Sequence, residues 1–191
     1  MKKNNNLIYY YIGSGIAVAV TLYFLYQSNK NNKKPTSNKA IIIGDSQTPF
    51  IAKQSKKAKM LGATGGENVL WQGGKGLNWL LSAVKKFPVT NDIGYVVINI
   101  GTNGGFNVKD DITGLITEVK RVFPNAKLLA VKGSWGWGGN INKTESQVNA
   151  YYDIFAKQGV KVIRTPIGPV EPHGDRPSYK TIGFEIDNEI Y

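Results

Sequence analysis

The residues able to do chemistry sit in four short polar stretches, each at the end of an apolar run. Gly44–Asp45–Ser46–Gln47–Thr48 closes the first run, and Gly73–Gly74–Lys75–Gly76 follows the second. Gly101–Thr102–Asn103–Gly104 closes the third, and Pro172–His173–Gly174 comes after the last. Together they offer a hydroxyl, several glycine N–H groups, a side-chain amide and the only imidazole in the chain. Serine is a weak nucleophile until a base takes its proton. His173 is the one side chain here whose ordinary pKa suits that task. Each residue also has a plain structural use. Ser46 could cap a helix, His173 could be an ordinary surface histidine, Asn103 a turn residue and Gly76 a helix start. Asp45 is expected to brace the turn. For Ser46 and His173 position decides: Gly44–Asp45 set Ser46 at a strand end, and His173 follows the last apolar run.

Those runs predict the elements that must position the site. Ala40–Gly44, Asn68–Gln72, Tyr95–Gly101, Lys127–Val131 and Val160–Arg164 are short and mostly β-branched, as buried parallel strands are. Helical patterns lie near 49–62, 76–87, 110–123 and 144–158, with a last helix from about Pro177 to Glu189. Asp110 and Asp111 suit a helix start, and Pro124 follows a helix end. The alternation predicts an α/β fold, a three-layer flavodoxin-like sandwich around a five-stranded parallel sheet. Ligands in such sheets sit at the carboxyl ends of the strands. All four polar stretches fall on that edge.

These loops resemble the sequence blocks of the SGNH (GDSL-like) hydrolases, over residues 40–191. IIIGDSQT matches the first block, whose serine, here Ser46, is the nucleophile. QGGKG resembles the second, whose glycine donates a backbone N–H. Counting from the strand aligns Gly76 with it, with Gly73 and Gly74 as alternatives. INIGTN matches the third, which makes Asn103 a side-chain donor to the oxyanion, and His173 stands in the place of the last-block histidine. The resemblance implies an ester hydrolase that needs no cofactor. Its substrate would be a small acyl ester or an acetylated glycan, with Trp135 and Trp137 lining the cleft or packing over the sheet edge. Two positions depart from the pattern. Gly104 follows Asn103 where the family has Asp, and Val170 stands three residues before His173 where the family has its acid. Glu171 and Asp175 are the nearest acids, and Asp175 is better placed to cap the helix from Pro177. A Ser–His dyad oriented by a backbone carbonyl is the other arrangement, and a non-catalytic binding or structural protein on the same scaffold is the competing reading. The GDSQT form in a small single domain also resembles versions encoded by bacteriophages, which implies a virion membrane protein as one setting.

Composition narrows the classes further. The 191 residues include no cysteine, which excludes disulfides and zinc–thiolate sites, and one histidine, which excludes multi-histidine metal centres. Net charge is +11, but six lysines and no acid fall within residues 1–39. That excess flanks Leu7–Tyr26, a 20-residue run without a charge. A helix of that length spans about 30 Å, enough to cross a bilayer. Tyr9–Tyr11, Tyr23 and Tyr26 sit near its ends, where tyrosine favours the interface. The expected layout is a basic N-terminus over 1–6, a transmembrane helix over 7–26, a flexible polar linker over 27–39 and the hydrolase-like domain over 40–191. Lysines flank both ends of the apolar run, so the side of the membrane stays open. No nucleic-acid partner is expected, because no basic helix or recognition motif accompanies the charge. Gly74–Lys75 lacks a following Ser or Thr, so QGGKG is not a phosphate-binding loop.

Overall fold

The structure, a computed structural model, describes residues 35, 37–61, 69–163 and 177–191. Residues 7–26 lie outside these, and among the described residues no helix is long and apolar enough to cross a membrane. Five strands form one parallel sheet: β1 (Ala40–Gly44), β2 (Ala58–Met60), β3 (Tyr95–Asn99), β4 (Lys127–Val131) and β5 (Lys161–Ile163). Their order is β2-β1-β3-β4-β5, the flavodoxin-like arrangement, with β1 and β3 central. Among the described residues five α-helices accompany them: α1 (Thr48–Gln54), α2 (Leu77–Lys86), α3 (Ile112–Val122), α4 (Glu145–Lys157) and α5 (Pro177–Glu189).

The period-two alternation of the strands sorts the core into two layers. Ile41, Ile43, Val96, Ile98, Leu128 and Ala130 pack on one side with α2, α3 and α4. Ala40, Ile42, Tyr95, Val97, Leu129 and Val131 pack on the other with α1 and α5. Each covering helix presents a matching stripe. In α2 it is Leu77, Leu80, Leu81 and Val84, and in α3 Ile112, Leu115, Ile116 and Val119. Asp111 caps α3 by accepting from the Gly114 N–H at 2.8 Å. Thr144 and Gln147 close a reciprocal capping box on α4.

One strand differs from the expectation. The run Asn68–Gln72 was expected to form the second strand, but β2 is Ala58–Met60, inside the stretch expected to be helical near 49–62. The edge of β1 is shared. Ala58–Met60 pairs with Ala40–Ile42, which leaves the Gly44 end for a single parallel bridge to Trp71. There Gly44 N–H donates to Leu70 O at 2.9 Å and Gln72 N–H donates to Gly44 O at 3.0 Å. Helix α1 stops at Gln54 because Ser55 turns the chain. Its hydroxyl donates to Asp187 of α5 at 2.6 Å and accepts from the Ala58 N–H at 2.9 Å.

Candidate active site

The nucleophile turn is built by a close approach of backbones. Gly44 has φ +149°, and a Cβ there would lie 1.8 Å from the Asn99 carbonyl oxygen, so only glycine lets β1 and β3 meet at this point. The chain then reverses around Asp45, which is fully buried. Its N–H donates to Asn99 O at 3.0 Å. Its Oδ1 accepts from the Gln47 N–H at 3.0 Å and from Asn99 Nδ2 at 3.1 Å. Asp45 thus braces the turn, as expected, and Ser46 is presented half-buried at the carboxyl edge of the sheet. The N-cap of α1 is Gln47 rather than Ser46.

The second loop lies against the first and the third. A Cβ on Gly73 would meet Ser46 Cβ at 3.7 Å. A Cβ on Gly76 would instead meet Gly104 N at 3.7 Å and the Asn103 carbonyl carbon at 4.0 Å. Gly73 is therefore the glycine beside the serine, and Gly76, the N-cap of α2, is the glycine beside the Asn103 turn. Asn103 itself is exposed on a 3-10 turn, Thr102–Gly104, and its Nδ2 donates to Lys75 O at 3.1 Å. Three of the four polar stretches expected to converge are thus brought together.

The turn carrying Asn103 is anchored below by aromatic packing. Phe106 sits edge-on to Tyr151 of α4 with ring centres 5.9 Å apart. The Tyr152 hydroxyl donates to Ile100 O at 2.9 Å and accepts from the Gly133 N–H at 3.0 Å, tying the ends of β3 and β4. Burial, with the negative charges of Asp110 and Asp45, pushes the Tyr151 phenol far above its ordinary range. Burial first, then Tyr151 and Asp45, does the same to Tyr152, so both stay neutral and act as packing. Asp110 fills the space above Gly104, where a Cβ would meet its Oδ2 at 3.3 Å, and burial raises its carboxyl.

The two tryptophans follow β4. Trp135 packs partly against the core, and the Lys132 ammonium stands 5.2 Å from its ring centre while donating to Glu145 Oε1 at 3.1 Å. Trp137 is half-buried with its indole nitrogen enclosed. His173, Glu171, Asp175 and Val170 lie outside the described residues. Among the described residues no group of three or more His, Cys, Asp or Glu side chains could hold a metal ion.

No protein-family model and no curated protein matches the sequence. Solved structures do. A lipase/acylhydrolase from Enterococcus faecalis matches with a TM-score of 0.52 at 13% identity, covering 79% of this chain and 94% of that one. A Streptococcus pneumonia protein named for platelet activating factor matches with a TM-score of 0.56 at 13% identity, over 92% and 99% of the two chains. A family two carbohydrate esterase from Clostridium thermocellum, solved with cellohexaose, matches with a TM-score of 0.52 at 18% identity, over 83% of this chain and 64% of that one.

The chain has the SGNH hydrolase fold. On that fold, the loops carrying Ser46, Gly73–Gly76 and Asn103 adjoin one another at one sheet edge. Sequence reasoning missed Gln47 and Asn140, whose buried amides bond the loops to each other. A buried amide inside a polar loop leaves no periodicity to find it by.

Proposed function

We propose that the protein is an SGNH-type ester hydrolase. Ser46 Oγ attacks the acyl carbonyl and passes its proton to His173. The oxyanion is held by the Ser46 N–H, a glycine N–H of the second loop and the Asn103 amide. His173 then gives the proton to the departing alcohol. Water, deprotonated by the same imidazole, attacks the acyl-serine and releases the acid. The observation that carries this reading is the shared loop: Gly73 lies against Ser46 while Lys75 and Gly76 lie against Asn103. An asparagine amide has two N–H bonds, so the bond to Lys75 O orients Asn103 and leaves one donor for an anion.

An acetylated glycan is the substrate class we assign. The likeness to a carbohydrate esterase solved with cellohexaose supports it. The uncharged run of residues 7–26 supports a single-pass membrane anchor, which retention in the membrane pellet through alkaline carbonate washing would test.

The test of the reaction is p-nitrophenyl acetate and acetylated-oligosaccharide hydrolysis by the full chain beside Ser46→Ala, His173→Ala and Asn103→Ala. Turnover abolished by the first two and lowered about a hundred- to a thousandfold by the third is expected. Wild-type turnover equal to that of Ser46→Ala on both substrates would refute the reading. Val170, standing where the family has its acid, would then favour a non-catalytic binding role.

A further inference from the structure

The 3-10 turn that carries Asn103 is short and leans on contacts from outside it. It spans three residues, and the backbone around it runs through positive φ at Gly101 (+126°), Gly105 (+64°) and Phe106 (+53°). Backbone in such regions persists where surrounding contacts over-determine it. Within the turn the ties are Gly104 N–H to Gly101 O at 3.1 Å, Gly105 N–H to Thr102 O at 3.2 Å and Phe106 N–H to Gly101 O at 3.0 Å. None of these touches the nucleophile loop or the tryptophan loop after β4.

Two buried amides do. Gln47, directly after Ser46 and 2% exposed, donates from Nε2 to Thr102 Oγ1 at 2.9 Å. Asn140, 5% exposed, donates from Nδ2 to the Thr102 carbonyl at 2.9 Å. The same Asn140 holds the tryptophan loop: its N–H donates to Trp137 O at 2.8 Å, and its carbonyl accepts from the Gly136 and Lys143 N–H groups at 2.9 Å each. Thr102 is thus gripped from both sides, by the nucleophile loop through its side chain and by the tryptophan loop through its backbone. Its neighbour Asn103 is exposed and inherits that position.

We propose that Gln47 and Asn140 are positioning residues that lock the Asn103 amide in register with Ser46. The inference rests on the ester-hydrolase reading and deepens it. The Gln47 arm matters most, because Gln47 also fixes the nucleophile turn by donating its N–H to Asp45 Oδ1 at 3.0 Å. One residue therefore ties the serine turn and the amide turn to each other. Loosening it lets the oxyanion donor drift while the serine, its base and the substrate cleft remain. The loss then falls on the transition state rather than on binding.

The test uses the full chain with Gln47→Met, which keeps length and apolar volume but removes the donor, together with Thr102→Val, Thr102→Ser and the Gln47→Met/Thr102→Val double variant. The expected result is a kcat about ten- to a hundredfold lower in Gln47→Met, part of what deleting an oxyanion donor costs, with KM changed by less than about threefold. Thr102→Val should fall as far. Thr102→Ser, which keeps the acceptor, should retain most of the rate. The double variant should be no slower than the slower single one, because both remove the same bond. Gln47→Met with kcat within about twofold of wild type, or Thr102→Ser as slow as Thr102→Val, overturns the proposal. The Asn103 side-chain amide signals in a nitrogen-15 spectrum, assigned by their disappearance in Asn103→Asp, read the coupling without turnover. They should shift and lose exchange protection in Gln47→Met, and unchanged signals overturn it even where that variant loses rate. Wild-type turnover equal to Ser46→Ala with shifted Asn103 signals sinks the esterase reading alone.

Discussion

Exchanging alanine for glycine at two positions of the second loop separates the residue beside the reaction from the residue that starts a helix. Neither Gly73 nor Gly76 has a positive φ, and an alanine Cβ at either would meet its nearest neighbour at 3.7 Å, ordinary contact. Both substitutions should therefore fold. Their stabilities should move in opposite directions. Gly73→Ala removes freedom from the unfolded chain and gains about 0.4–1 kcal/mol. Gly76 is the N-cap of α2, a position where alanine is poor, so Gly76→Ala should lose about as much. Activity should move the other way. The neighbour at 3.7 Å from a methyl at 73 is Ser46 Cβ, one bond from the attacking oxygen. An acyl carbon must come within about 3–3.5 Å of that oxygen, and a methyl in the same space displaces it by about 1 Å, enough to cost about a hundredfold. At 76 the methyl faces the Gly104 backbone, and turnover should stay within severalfold. The assays are urea unfolding followed by tryptophan fluorescence and p-nitrophenyl acetate turnover on the same samples. A Gly73→Ala chain of full activity, with Gly76→Ala crippled but folded, would refute this reasoning and favour Gly76 as the glycine donor.

Gly44→Ala should destabilise the chain by about 2–6 kcal/mol, combining a strained φ with overpacking, because its Cβ would fall 1.8 Å from Asn99 O. The check is the urea midpoint; a shift smaller than that of Gly76→Ala would show that β1 and β3 separate more easily than their register implies. Asp187 supplies a pH signature. Burial raises its carboxyl, but the Ser55 hydroxyl, the Lys56 and Lys57 N–H groups and the Lys57 charge outweigh burial and hold it below the ordinary aspartate range. A carboxylate lowered by folding stabilises the fold above its unfolded pKa and loses that contribution as pH falls through the folded one. Melting curves should accordingly show Asp187→Asn less stable than wild type at pH 6, with the gap closing below about pH 4. A gap of constant width across that range would exclude the linkage.

Periodicity carried most of the fold, and its one failure has a physical cause. The strand and helix patterns lie where the apolar spacing predicts in β1, β3, β4 and in α2 to α5. The stretch Lys56–Lys57–Ala58–Lys59–Met60 reads as the polar side of a helix because three of its five residues are lysines. It forms a strand nonetheless, since an edge strand of three residues needs one buried side chain, Ala58, and a turn held by Asp187, which lies about 130 residues away. Asn68–Gln72 reads as a strand because it is an apolar run, and Leu70 and Trp71 are buried, but β2 pairs with the first part of the β1 edge and leaves only a bridge at Gly44. The site divides the same way. Ser46 and Asn103 are picked out as candidates because each stands in the polar loop directly after an apolar strand, so the strand's own pattern points to them. The Gln47 and Asn140 bonds, and the nearness of Gly73 rather than Gly76 to Ser46, depend on which loop meets which across the sheet edge, and contacts between loops distant in sequence leave no spacing to read. The consequence is specific. Asp45, a brace within its own motif, is legible in the sequence, whereas bonds between loops distant in sequence appear only once the loops are folded together. The rate of Gln47→Met therefore measures a bond between two loops that the GDSQT motif, which contains Gln47, does not by itself reveal.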